Sequence, residues 1–409
     1  MERAGLARLL GGKASAHGAR RVQLCESVPA RFMESFARAA AGEGEVFLCN
    51  PDWGALEQRQ LAEVLRAEPS SALGAPSSGA GWLMIPTGGT GGRLKFARHD
   101  SATITAAVRG FARHFGLPQI NAVGVLPLYH VSGLMGWLRC GLSGGEYIPL
   151  DWKSAEAGAL PKLPAKSAGW TISLVPTQLE RLMRQAPAVE WLRGFRAILV
   201  GGSAAWPALL DKAAGLRLPL APSYGMTETA AMIAALRPEE FLAGARSCGA
   251  VLPHAQVNFD EEGTVLVGGA SVFRGYYPDW REETEAFVTQ DGGWLDERGH
   301  LHISGRRDAV IITGGEKVNP AEVEAVLRGT GELPDVVVLG LPDAEWGERV
   351  VAAYPAEARP DHGRVEAALN RLLSPEKRPK KLIPVENWPV NAQGKVNRAE
   401  VARRAAAQK

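Results

Sequence analysis

The chain has 409 residues, with 46 Lys plus Arg against 44 Asp plus Glu and a net charge of +2. So even a balance argues against a nucleic-acid or polyanion binder, and the length predicts two or more domains around a large core. No run of uninterrupted apolar residues is long enough to span a membrane, and the first 20 residues hold no signal-peptide-like apolar run. Cys25, Cys49, Cys140 and Cys248 form no CxxC pair, so reduced, mostly buried thiols of a cytoplasmic protein are expected rather than a metal site.

Residues 1–45 are rich in Ala and Arg, with weak helical patterning at 30–41. Residues 46–50 predict a strand, 56–65 a helix and 69–81 a loop of small polar residues. Trp82 to Pro86 reads as a buried strand and runs into Thr87-Gly88-Gly89-Thr90-Gly91-Gly92-Arg93-Leu94-Lys95. The glycines let backbone amides approach an anion, the threonines add hydroxyls, and Arg93 and Lys95 add charge, so a triphosphate is the natural guest. Arg93-Leu94 after Gly92 rules out a Walker loop. Taken alone, a flexible hairpin explains the stretch as well.

A helix is predicted over 101–116 and a buried strand over 121–128, leading into Tyr129-His130-Val-Ser-Gly-Leu-Met-Gly-Trp-Leu-Arg139. His130 by itself reads as a structural histidine. Arg139 lies among apolar neighbours and needs an anionic partner, which could equally be an ordinary ion pair or a ligand. Strands at 170–174 and 196–200 flank a helix starting at 175, and the second ends at Gly201-Gly202-Ser203, a placement that suits a ligand crevice. In Ser223-Tyr224-Gly225-Met226-Thr227-Glu228-Thr229, Tyr224 offers a flat face for a base and Gly225 allows close approach. Thr227 and Glu228 offer oxygen ligands for Mg²⁺.

Residues 246–276 alternate apolar and polar, and Asp291 lies in an acidic turn. Short strands around Leu301 and Ile303, then 310–312, bracket Ser304-Gly305-Arg306-Arg307-Asp308. Gly314-Gly315 then leads to a helix capped by Asn319, with Pro320 and Glu322 in its first turn and Val323, Val326 and Leu327 as its stripe. Strands at 336–340 and 350–354, a helix at 362–373, a basic solvated face at 375–381 and a loop carrying Gly394-Lys395 complete the chain.

Taken together, Thr-x-Gly-Thr-x-Gly-x-x-Lys from Thr87, PLYHVSGL, YGMTET, the Asp291 segment, GRRD and ITGGEKVNPAEVE resemble, in order, the motifs of the adenylate-forming (acyl-CoA synthetase) superfamily. The resemblance implies an α/β fold: a large multi-sheet N-terminal adenylation domain with a small barrel (1–307) and a small mobile α+β C-terminal domain (308–409), hinged at Asp308. It implies ATP, Mg²⁺ and CoA as cofactors or co-substrates. It assigns Thr87, Gly88, Gly89, Thr90, Gly91, Gly92 and Lys95 to phosphate. Gly201, Gly202, Ser203, Tyr224 and Gly225 fall to adenine and the acyl pocket, Asp291 and Arg306 to ribose, and Glu228 to the metal. Lys395, His130, Thr227 and Glu228 become the catalytic set, with His130, Arg139 and Gly225 lining the acid. Gly88, Gly91, Leu94 and Gln290 depart from the superfamily pattern, and the part before Thr87 is short for it.

Within the superfamily, Met226, Val175-Pro176-Thr177-Gln178, His130 and FLCNPDWG near residue 50 are most similar to the o-succinylbenzoate–CoA ligases, which implies a dicarboxylate acid. Another aryl- or acyl-CoA ligase, or a non-catalytic ATP-binding homologue, is the alternative. The partners implied are a small carboxylate, ATP and CoA, with a homodimer as the assembly to be tested.

Overall fold

Short apolar runs alternating with amphipathic helices build four sheets in the computed structural model. It describes residues 2–12, 20–67, 81–88, 94–164, 169–281, 285–343, 346–390 and 396–408. Helix α1 (Arg3–Leu9) precedes β1 (Arg21–Cys25), α2 (Pro29–Ala41), β2 (Glu45–Cys49), α3 (Ala55–Arg66), β3 (Leu83–Gly88) and β4 (Leu94–His99). The first sheet runs in that strand order, with β1, β2 and β3 parallel and β4 antiparallel to β3. The β3–β4 register sets Thr87 opposite Lys95 at the mouth of the glycine-rich hairpin. Helix α2 buries Phe32, Phe36, Ala37 and Ala40, and Phe36 meets Trp137 edge-on at 5.4 Å.

Helix α4 (Ser101–Phe115) starts at a reciprocal cap. The Asp100 carboxylate accepts from the amides of Ala102 and Thr103 at 2.9 Å, and the Thr103 hydroxyl accepts from the Asp100 amide. The second sheet gathers β5 (Asn121–Gly124), β6 (Tyr147–Pro149), β7 (Trp170–Leu174), β8 (Ala197–Val200), β9 (Leu220–Met226), β10 (Ala231–Ala235) and β11 (Ala250–Val251). Its order is β11-β10-β9-β8-β7-β5-β6. The run from β6 to β9 is parallel, and β10 is antiparallel to both neighbours. Every residue of β8 is buried, because separate apolar clusters cover the two faces of the sheet. Helix α5 (Val131–Ser143) carries the His130 segment into the core.

Residues 246–276, expected as a small barrel, supply β12 (Ala255–Phe259) and β13 (Thr264–Gly269), which join β14 (Phe287–Leu295) and β15 (Leu301–Arg306) in a four-stranded antiparallel sheet. Bridges Ala97–Tyr276 and Ala250–His300 tie this region to the other two sheets. After a short turn at Arg307–Ala309, β16 (Ile311–Thr313), β17 (Glu316–Val318), β18 (Val337–Asp343), β19 (Gly347–Pro355) and β20 (Lys381–Val385) form the last sheet. Its helix Pro320–Gly329 is capped by Asn319, as expected, and Arg328 lies 5.3 Å from the ring of Trp206, the N-cap of the helix Pro207–Gly215. No helix among the described residues is long and apolar enough to cross a membrane.

Several expectations need correcting. The strand predicted over 121–128 stops at Gly124, and the chain turns at Pro127, whose carbonyl accepts from the His130 amide. Ser223 to Met226, given no element from sequence, form the end of β9. Strands β1 and β10 were not anticipated. Cys25 is exposed rather than buried, and it stands beside Cys49 in the β1–β2 register.

Candidate active site

The carboxyl ends of β8 and β9 lie side by side, with Val200 registered on Pro222. From there Gly201-Gly202-Ser203 and Tyr224 to Glu228 leave the sheet at its crevice. Gly202 takes φ +80, where glycine is favoured. Gly225 is required by contact: a Cβ there would lie 2.1 Å from the Ala231 carbonyl oxygen and 2.4 Å from Met232 Cα. The turn after Glu228 holds Ala230 (φ 51) and Ala231 (φ 79) in the left-handed region. Such non-glycine conformations cost about 1–3 kcal/mol and cluster at functional sites.

Glu228 is buried, and its Oε1 accepts from the hydroxyls of Tyr276 at 2.7 Å and Thr87 at 3.2 Å. Burial first, then the Glu228 carboxylate, push the Tyr276 phenol up. The Lys95 ammonium lies 5.1 Å from the Tyr276 ring. Thr87, Lys95 and Glu228 therefore lie together, with Thr227 beside Glu228 in the chain. Tyr276 joins them unforeseen, since nothing in its local sequence marks it. These donors are oxygens around a single carboxylate, which fits Mg²⁺ that keeps waters and binds phosphate, and no cluster of three or more metal-ligating side chains occurs among the described residues.

His99 is a second residue missed from sequence. Its Nε2 lies 2.8 Å from the Thr227 carbonyl, an acceptor, so Nε2 carries the proton and Nδ1 faces the Thr103 hydroxyl at 3.1 Å. This holds the backbone next to Glu228 in place. Burial lowers His99 to about 4, so the neutral ring is maintained.

On the other side of Tyr224, its hydroxyl donates to Asp291 Oδ2 at 2.6 Å. Burial and then the Asp291 carboxylate push this phenol up. Arg306 is registered on Asp291 across β14 and β15, and its guanidinium is bidentate on Asp308 at 2.6 and 2.7 Å. Tyr224, Asp291, Arg306 and the hinge candidate Asp308 thus form one polar chain.

His130 caps α5 and its ring lies 4.8 Å from that of Tyr129. Arg139, farther along α5, is 3 % exposed and rests 4.2 Å over Phe111. No hydrogen bond or ion pair reaches its guanidinium among the described residues, and Nε is buried without a partner. Burial pulls it down to about 10. Next to it, His254 occupies the space a side chain at Gly110 would need, its ring nitrogens unpartnered among the described residues. Burial, then the Arg139 charge, hold His254 at about 4. Between α5 and the strands lies a cavity of about 10 Å³ lined in part by Gly124, Ser132, Arg139 and Ser173, room for one water. Of the two partners weighed for Arg139, the ordinary ion pair is not found among the described residues. Gly89, Thr90, Gly91, Gly92 and Lys395 lie outside the described residues.

A doubly covered, largely parallel sheet with an oxygen-lined crevice at its carboxyl ends defines the class: a nucleotide-handling α/β protein. The sequence profile described as AMP-binding enzyme matches residues 37–277, and the chain belongs to that family. The 2-succinylbenzoate–CoA ligase of Listeria monocytogenes is 34% identical over 286 residues, covering 68% of this chain and 60% of that protein. The 2-succinylbenzoate–CoA ligase of Oceanobacillus iheyensis is 34% identical over 331 residues, covering 78% of this chain and 68% of that protein. The chain thus spans about 60% of the length of the first relative. The o-succinylbenzoate CoA synthetase of Bacillus subtilis, solved with its acyl-adenylate intermediate, superimposes with a TM-score of 0.77 at 22% identity, covering 98% of this chain and 91% of that one. The fold is therefore that of the acyl-CoA synthetases.

Proposed function

We propose that the chain is an AMP-forming acid–thiol ligase that adenylates 2-succinylbenzoate with ATP and passes the acyl group to CoA. The observation that carries the substrate is Arg139. A buried guanidinium without an anion is costly, and the second carboxylate of this acid would complete it. The activities named for the two bacterial relatives support the same reading.

In the first half-reaction the acid's succinyl carboxylate attacks the α-phosphate of ATP, releasing pyrophosphate. Two anions meet, so positive charge must gather around them. Lys95 and the glycine-rich hairpin hold phosphate, Lys395 holds the carboxylate and α-phosphate, and Thr227 contacts phosphate. Tyr224 and Gly225 receive adenine, with Asp291 and Arg306 on the ribose. Mg²⁺ held at Glu228 would supply charge neutralisation there. His130 orients the acid. Residues 308–409 then turn about Asp308 against residues 1–307, withdrawing Lys395 so that the CoA thiol can displace AMP. Free thiols suit a cytoplasmic place of action, and sedimentation tests the homodimer.

The test is incubation with ATP, Mg²⁺ and 2-succinylbenzoate, with and without CoA, following pyrophosphate, AMP and acyl-CoA. CoA-dependent thioester formation is expected. Pyrophosphate release only with other acids would overturn the substrate, and none with any acid would overturn the ligase.

A further inference from the structure

Strands β1 and β2 are parallel and in register, and the register sets Cys25 against Cys49. Neighbouring strands lie about 4.8 Å apart, and residues in register send their side chains to the same face. That separation falls within the roughly 4.4–6.8 Å between Cα atoms that a disulfide spans. Both thiols are free. Their surroundings differ sharply. Cys49 is fully buried among Phe47, Met84, Phe96 and Tyr277, whereas Cys25 is exposed on a strand at the sheet's edge.

We propose that Cys25 and Cys49 form a two-thiol site for small-molecule disulfides, in which exposed Cys25 attacks and buried Cys49 resolves. The Cys25 thiolate displaces one thiolate from the disulfide RSSR, forming Cys25–S–S–R; the released RS⁻ takes up a proton. The Cys49 thiol then gives up its proton and attacks the Cys25 sulfur, expelling the second RS⁻, which is protonated to RSH. The net change is oxidation of two cysteines to one disulfide and reduction of RSSR to two RSH.

The ionisation of the pair fits these roles. The Cys49 S–H rests 3.5 Å from the Phe47 carbonyl and can turn toward the Cys25 sulfur. Hydrogen bonding by Cys49 draws Cys25 down to about 7 against the upward push of burial, while the same contact and burial raise Cys49. The attacking thiol is thus substantially ionised near neutrality, and the protected one becomes reactive only when its neighbour is modified. Burial lifts Cys140 and Cys248 to about 12, which keeps them out of the exchange.

The test treats the full reduced chain with oxidised glutathione at neutral pH and reads intact mass and linked peptides. The expected product lacks two hydrogens, carries no glutathione and yields a peptide joining Cys25 to Cys49. Cys49→Ala is expected to trap a lasting glutathione adduct on Cys25, and Cys25→Ser to abolish both products. A lasting adduct on wild-type Cys25 with Cys49 still reduced would overturn the resolving role, and prior modification of Cys140 or Cys248 would overturn the site. Alkylation of wild-type Cys25 against pH needs no variant. An inflection near neutrality is expected, and one at the ordinary thiol value of about 8.5 overturns the pairing.

Discussion

Tyr276 donates its hydroxyl proton to Glu228 Oε1 at 2.7 Å across 48 residues of sequence. Thr87, at the end of β3, donates to the same oxygen at 3.2 Å. The carboxylate is therefore oriented by protein donors, and Tyr276 acts as a positioning residue rather than a ligand. Tyr276→Phe removes the shorter bond and leaves the fold's apolar contacts with Phe273 in place. A hydrogen bond to a charged group contributes about 1.5–3 kcal/mol, so the Mg²⁺ concentration that half-saturates pyrophosphate release is expected to shift by roughly tenfold or more. An unchanged Mg²⁺ dependence would separate Tyr276 from the carboxylate proposed to hold the metal.

Arg139 makes stability and function pull apart. With no hydrogen bond or ion pair reaching it among the described residues, the buried guanidinium carries a desolvation cost that only the contact with the Phe111 ring offsets in part. Arg139→Met keeps length and apolar contact with Phe111. Replacing uncompensated buried charge by an apolar isostere is expected to stabilise the substrate-free protein by about 1–4 kcal/mol. The same change should raise the KM for 2-succinylbenzoate at least tenfold while leaving the KM for ATP near its starting value. Urea unfolding and steady-state pyrophosphate release measure the two effects. A variant that is less stable and equally good with the diacid contradicts the assignment.

The stretches that were legible are those whose chemistry is local. Asn319, Pro320 and Glu322 mark a helix start with side chains a few residues apart; the Asn319 cap forms, accepting from the Ala321 amide, while Glu322 pairs with Lys377 instead of closing a capping box. The string from Tyr224 to Glu228 likewise lands at one crevice. What could not be read depends on register between distant segments. His99 reaches the Thr227 carbonyl across 128 residues, and Cys25 meets Cys49 only because β1, itself unrecognised, pairs with β2. Strand β1 was missed because Arg21 and Gln23 break the apolar run that a buried strand shows. Strand β10 was missed because Ala-Met-Ile-Ala-Ala has no alternation and reads as easily as helix.

Gly225 shows how tightly the backbone at the end of β9 is packed. Its missing side chain makes room for the Ala231 carbonyl at 2.1 Å and Met232 Cα at 2.4 Å from where a Cβ would sit. Both are backbone, so neither can swing aside. Gly225→Ala is expected to push β9 from β10, costing about 1–3 kcal/mol by overpacking and lowering ATP-dependent pyrophosphate release far more than that loss of stability explains. Thermal unfolding beside ATP titration separates the two. Wild-type ATP affinity in a folded variant would place adenine elsewhere.

Two histidines, His99 fully buried and His254 half-buried, set an acid limit on stability. His99 is fully buried, and burial lowers it to about 4 despite the Thr227 carbonyl and Asp100, which favour the charged ring. His254 is lowered to about 4 by burial and by the neighbouring Arg139 charge. In the unfolded chain both rings would titrate near 6.5. Below that value the unfolded state binds protons that the native rings refuse, so stability is complete above about 6.5 and is lost as pH falls toward about 4. Each ring contributes a slope of up to about 1.4 kcal/mol per pH unit within that window. Urea unfolding at steps from pH 7 to pH 5, above the range where most carboxylates titrate, is expected to show this decline. Replacing His254 by Asn should lessen the slope by about one ring's share. A free energy of unfolding that stays flat over the window would mean that both rings accept protons in the folded chain.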